Sequence, residues 1–273
     1  MNSLQFAPPN SQEMGREATI FNDDEPANAM RLDLALVARG LAPSRARAQD
    51  LIRRGFVRVA GKSYNKPAFE VAPSQVVELS AEAPAYVSRG AEKLAAALDR
   101  FGFDPAGVVV LDVGASTGGF TEVLLERGAA CVFAVDVGSS QLHEKLKADP
   151  RVVSLENCDA RELSRAQVPV LTGAIVIDVS FISVTKVLEN ILPLASDSAW
   201  LVVLVKPQFE VGRKRVGSGG IVRDEAARRG AVDAVRERLL NQPGWRIIDE
   251  MESPILGGSG NVEYLIGARH DVG

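Results

Sequence analysis

Cysteine and histidine are both scarce: the 273 residues contain two of each. That excludes a disulfide framework and leaves too few ligands for a zinc cluster, so the expectation is a reducing compartment and no metal site. Long apolar runs are missing as well. The longest, Ala199 to Val205, falls far short of the ~20 residues that cross a bilayer. The first 29 residues carry five acids, one arginine and no apolar core, the reverse of a secretory signal peptide. Nor does the whole chain show a basic excess, since 31 Lys+Arg stand against 35 Asp+Glu for a net charge of −4. What remains is ordinary globular composition, 46% hydrophobic and 24% charged. It excludes a disordered, collagenous or repeat-dominated protein and fits one large domain with a small one, in the cytoplasm.

Charge is unevenly spread. Residues 1–29 are rich in Asn, Pro, Glu and Asp, lack a hydrophobic period, and read as a disordered acidic tail. Periodicity begins at Met30. Between Arg31 and Lys66 the sign inverts: nine basic residues face only Asp33 and Asp50, a net +7. Leu32, Leu36 and Val37 spell a helix closed by Gly40, and Pro43-Ser44 opens a second through Ala48, Leu51 and Ile52, stopped by Gly55. Alternation in Phe56-Val57-Arg58-Val59, a turn at Gly61-Lys62 and the stretch Val76 to Leu79 add short strands. Residues 30–80 are therefore expected to form a small α+β module, residues 81–88, around Pro84, a linker, and residues 89–273 a second domain. In the second helix Arg47 and Arg54 lie two turns apart on one face, flanked by Arg45 and Arg53 and opposite the apolar stripe. Arginines gathered in this way suit a phosphate backbone, and with Arg31 and Lys62 they form the candidate RNA-binding set.

From Gly90 onward strands alternate with helices, the signature of a doubly wound α/β sheet. Strands are expected at Val108–Val113, Val132–Val135, Val152–Leu155, Ala174–Ile177 and Trp200–Val205, with a closing pair at Trp245–Met251 and Val262–Ala268. Helices are expected at Ala91–Phe101, Thr121–Arg127, Ser140–Lys147, Val184–Leu192 and Asp224–Leu240. Seven strands with one antiparallel result.

The loop Asp112-Val-Gly114-Ala-Ser116-Thr117-Gly118-Gly119 follows the first of these strands and opens a helix, so glycines let a ligand approach outward-pointing N–H groups. Its Gly-x-x-x-Gly-Gly spacing is not the dinucleotide pattern, and a cationic cofactor would suit Asp112 at the strand's end. Asp136 closes the next strand, 24 residues on, where an acid takes ribose hydroxyls; Asp159 follows the third, where a carboxylate can meet an adenine amino group. Three acids at successive strand ends with one Gly-rich loop point to S-adenosylmethionine and a Rossmann-like class I methyltransferase fold.

The fourth strand ends in Asp178-Val-Ser-Phe181, which lacks both the Asn/Asp-Pro-Pro-aromatic turn of amino-nitrogen methyltransferases and the cysteine nucleophile of base-carbon enzymes. Cys131 starts a buried strand and reads as structural. The fifth strand ends in Lys206-Pro207-Gln-Phe209-Glu210, placing a lysine at the same sheet edge, where desolvation and neighbouring cations can make it a base. Lys93 and Glu263 are further candidates.

With these motifs the chain resembles the TlyA (hemolysin A) family of ribosomal RNA 2′-O-methyltransferases, related to the FtsJ-like enzymes. The resemblance runs from Met30 to the end, and the basic module resembles the RNA-binding domain of the ribosomal-protein-S-four type. It implies a catalytic Lys-Asp-Lys-Glu set at Lys93 in Ser88-Arg-Gly-Ala-Glu-Lys93, Asp178, Lys206 and Glu263 in Gly260-Asn-Val-Glu263. It also implies S-adenosylmethionine as cofactor, ribosomal RNA or ribosomal subunits as partner, and 2′-O-methylation of a cytidine. The Asp112 loop, Asp136 and Gly220-Ile-Val-Arg-Asp224 fit the same family, and only the acidic tail departs from it. Two alternatives stay open: a membrane-active protein, which the family's second name implies, and a methyltransferase acting on a substrate other than RNA.

Overall fold

The computed structural model describes residues 29–271; the tail expected at residues 1–29 lies, Ala29 excepted, outside them. The N-terminal module begins with β1 (Met30–Arg31) and α1 (Leu32–Ala38), then α2 (Arg45–Arg53), whose N-cap Ser44 accepts a hydrogen bond from the Arg47 amide. β2 (Val57–Val59) pairs antiparallel with β3 (Lys62–Ser63) and β5 (Val77–Leu79). A second ribbon, absent from the sequence reading, joins β1 to β4 (Glu70–Val71). Two residues per strand carry no readable period, so that pairing is set by the fold around it. Leu32, Leu36, Leu51, Ile52 and Val57 close the module's own core.

Apolar helix faces order the larger domain. α3 (Gly90–Phe101) buries Leu94, Ala97, Leu98 and Phe101 on one side of the sheet, beside α4 (Gly119–Glu126). α6 (Thr185–Ile191) and α8 (Glu225–Leu240) cover the other side, with the short α5 (Glu144–Lys147) and α7 (Pro207–Glu210) at the strand ends. The sheet contains β6 (Val109–Val113), β7 (Cys131–Val135), β8 (Val152–Leu155), β9 (Thr172–Ile177), β10 (Ala195–Val205), β11 (Trp245–Glu252) and β12 (Tyr264–His270). Its order is β11-β12-β10-β9-β6-β7-β8, all parallel except β12. The expected seven-stranded doubly wound sheet with one antiparallel strand is thus present.

One helix is shorter than expected. The stretch 140–143 is not helical, because Ser140 adopts φ +54 and its amide donates to Glu156, so α5 starts only after the His143 cap. The released loop instead borders a cavity.

Candidate active site

β6 and β9 lie side by side where the strand order reverses, and the loops leaving their C-terminal ends frame a crevice. Gly114 makes this approach possible. Its φ is +86, and a Cβ there would stand 2.6 Å from the Asp178 carbonyl oxygen. Two cavities open onto the crevice and share Gly114, Ser116, Asp178 and Ser180.

The first cavity, about 390 Å³, reaches Asp136, Gln141 and Asp159. Asp136 accepts hydrogen bonds from the Ser116 amide (2.8 Å) and the Gly138 amide (2.7 Å), which fixes its carboxylate at the end of β7. Asp159 is held by Arg161, whose guanidinium lowers its pKa to about 2. Thr117 and Gly119 line the second cavity and not the first, while Gly118 lines neither and turns the chain into α4.

Asp112 also lies beneath the cavities rather than in their walls. It is fully buried, its Oδ2 accepts from the Thr121 hydroxyl at 2.6 Å, and its Oδ1 has no partner. Burial, with Asp178 and Asp136 close by, pushes its pKa up to about 7. Asp178 in the wall of both cavities, Asp136 and Asp159 in the first, and the incompletely paired Asp112 beneath them make a carboxylate-rich edge that fits a sulfonium cofactor with an adenosyl group.

The second cavity, about 350 Å³, brings together Lys93 from α3, Asp178 after β9, Lys206 at the end of β10 and Glu263 just before β12. They form two pairs. Lys93 and Glu263, only 6% and 2% exposed, meet at 2.5 Å, and Lys206 Nζ lies 2.5 Å from Asp178 Oδ1 while donating to Ser180 Oγ at 2.8 Å. Gly257 makes room for the first pair: a Cβ there would stand 2.2 Å from Glu263 Oε1. Two lysine amino groups, each oriented by a carboxylate, can hold an oxygen nucleophile and manage its proton. Phe181, beside Asp178, is 92% exposed at φ +66, a backbone conformation costly for a bulky residue, and packs against Phe209 at 5.2 Å.

The segment expected as a linker is part of this site. Val87 is buried, its amide donates to the buried Glu122 at 2.7 Å, and Glu122 also receives Lys145 Nζ at 2.5 Å. Ser88 and Arg89 then line the second cavity. Glu122 carried no readable signal in sequence, since one acid in a helix's first turn is common.

Two arginines depart from the expected phosphate-facing role. Arg47 is only 5% exposed; it donates to Asp50 and to the Pro84 carbonyl, so its charge holds the linker against α2. Arg54 makes a bidentate pair with Glu92 of α3, at 2.6 and 2.8 Å. Seven-residue spacing did place them on one face, but that face meets the neighbouring domain. Arg31 and Arg45 converge on buried Asp33, whose carboxyl is held far below the usual range by Arg31. Arg53 and Lys62 are exposed, without an ion pair among the described residues. Among those residues no three His, Cys, Asp or Glu side chains are grouped to hold a metal, and no helix is long and apolar enough to cross a membrane.

A doubly wound seven-stranded sheet with an antiparallel β12, a Gly-rich loop after β6 and a paired-lysine cavity at its switch point define the class: the protein is a Rossmann-like methyltransferase with an RNA-binding module in front. Residues 86–270 match the FtsJ-like methyltransferase family and residues 30–77 match the S4 domain. The chain belongs to the FtsJ-like methyltransferases, in the branch that carries an S4 domain and includes TlyA and hemolysin A. It is 47% identical to the 16S/23S rRNA (cytidine-2′-O)-methyltransferase TlyA of Mycobacterium tuberculosis, covering 89% of this chain and 91% of that protein. It is 40% identical to hemolysin A of Brachyspira hyodysenteriae, over 86% and 98%. Among solved structures, a hemolysin from Streptococcus thermophilus superposes with a TM-score of 0.71 at 36% identity over 89% of each chain.

Proposed function

We propose that the protein transfers a methyl group from S-adenosylmethionine to the 2′-oxygen of a ribose in ribosomal RNA, on a cytidine. The observation that carries this reading is the convergence of Lys93–Glu263 and Lys206–Asp178 in one cavity that adjoins the Asp136 and Asp159 cavity. S-adenosylmethionine, bound there, supplies a methyl group activated on a sulfonium sulfur. Asp136 and Asp159 hold its adenosyl part, Gly114, Ser116, Thr117 and Gly119 give it backbone, and Asp112 with Asp178 supplies negative charge. Gly118 sets the turn of that loop.

With the cofactor bound, the neutral amine of Lys206 would accept the proton of the 2′-hydroxyl as the oxygen–methyl bond forms and the sulfur–methyl bond breaks, leaving S-adenosylhomocysteine and a 2′-O-methyl ribose. Asp178 and Ser180 aim the Lys206 amine, and Glu263 holds Lys93 where it steadies the nucleophilic oxygen. Phe181 offers an exposed face on which a base drawn out of a helix can stack. Arg31, Arg45, Arg53 and Lys62 contact RNA phosphates, and a ribosomal RNA substrate places the enzyme in the cytoplasm. The basic module favours this reading over a small-molecule substrate.

Two variants separate the roles. Lys206→Ala is expected to lower methyl transfer by ~10² to 10⁴ while calorimetry finds near-wild-type cofactor affinity, as loss of a general base requires. Asp136→Ala is expected to weaken cofactor binding first. A fully active Lys206→Ala enzyme removes the assignment.

A further inference from the structure

A third cavity lies between the two domains and runs into the catalytic one. This groove, about 630 Å³, is walled by Arg53 and Arg54 at the end of α2, Val87 of the linker, Arg89 at the N-cap of α3, and Ile255 and Leu256 of the loop between β11 and β12. It shares Ser88, Arg89, Thr117 and Gly258 with the catalytic cavity, so the two are continuous. We infer that the groove holds the unpaired RNA nucleotides next to the target, with Arg89 clasping the phosphate where the strand passes from groove to catalytic cavity. The inference rests on the proposed RNA substrate.

Charge and shape both favour this occupant. Four arginines line the groove against one acid, Asp50. Arg47 and Arg54 are committed to Asp50, Pro84 and Glu92 at hydrogen-bond distance, whereas Arg53 reaches only Gln49 within its own helix. Arg89 is held loosely: its Nε is 3.5 Å from Asp50 and its Nη1 is 3.5 Å from the Leu256 carbonyl. A guanidinium with two long contacts can exchange them for a shorter, charge-assisted bond to phosphate. Ile255, Leu256 and Val87 supply apolar wall for ribose and base. Leu256, 52% exposed, is otherwise an unexplained apolar side chain beside an active site.

The test measures binding of the full-length protein to an unmodified ribosomal RNA transcript across a salt series. Arg89→Gln is expected to weaken binding about tenfold. It should also flatten the slope of log affinity against log salt by about 0.7, one phosphate on a single strand, whereas Arg89→Lys keeps the slope. Leu256→Glu, which puts a negative charge in the groove without touching the cofactor cavity, is expected to weaken RNA binding while the neutral Leu256→Gln does not. Should Arg89→Gln fail to fold, the Leu256 pair decides alone. Wild-type affinity and slope in Leu256→Glu overturn the groove as the RNA path, whatever Arg89→Gln does. If the wild-type protein itself neither binds nor methylates ribosomal RNA, the proposed function falls, and the groove assignment with it.

Discussion

Asp112 shows how one buried side chain can oppose folding. The carboxyl is buried, hydrogen-bonded on one oxygen only, and shifted up to about 7 from an ordinary value near 4. Between those values the folded protein keeps a proton that the unfolded chain has released. Its contribution to stability is therefore full at the acid end and is lost as pH rises to about 7. Asp112→Asn keeps an acceptor for Thr121 without the charge. It is expected to melt a few degrees above the wild type at pH 8, with the gain shrinking toward pH 4, and to bind S-adenosylmethionine about tenfold more weakly. Scanning calorimetry at the two pH values and a cofactor titration check this; equal melting differences at both pH values would show that the buried charge is not the cause.

At the scale of elements, α3 ties the N-terminal module to the cavity of the large domain. Successive residues face opposite partners: Glu92 meets Arg54 of α2, and Lys93 meets Glu263 in the cavity. Because the Arg54–Glu92 pair is partly exposed, its loss is expected to cost only about 1 kcal/mol. Glu92→Ala should leave the large domain folded while limited proteolysis cuts faster in the segment 81–86; an unchanged cutting rate would mean that the seam is held by other contacts.

The elements themselves were largely legible, since buried parallel strands such as Val109–Val113 and capped helices such as α2 declare themselves locally. Lys206 was legible as a lysine at the sheet edge, and Lys93 and Glu263 as further candidates, while the family resemblance joined them with Asp178 into one set; the structure gathers the four in one cavity. The burial of Arg47 was not legible, because it depends on residues 84–87 folding back onto α2. Phe181 was read only as part of a motif; its exposure and positive φ belong to the tertiary turn.

Across the whole molecule, a net charge of −4 conceals a basic stretch of +7 between Arg31 and Lys66 that is fastened beside the acidic end of the large sheet. That arrangement makes sense if one end grips a polyanion while the other transfers a methyl group to it. The most direct measurement incubates the purified protein with ribosomal subunits from cells lacking it and S-adenosylmethionine labelled in the methyl group, then digests the RNA to nucleosides for mass spectrometry. Label is expected in a 2′-O-methylated cytidine, absent when Lys206→Ala replaces the wild type. Label on a base, on protein, or on no RNA at all would contradict it.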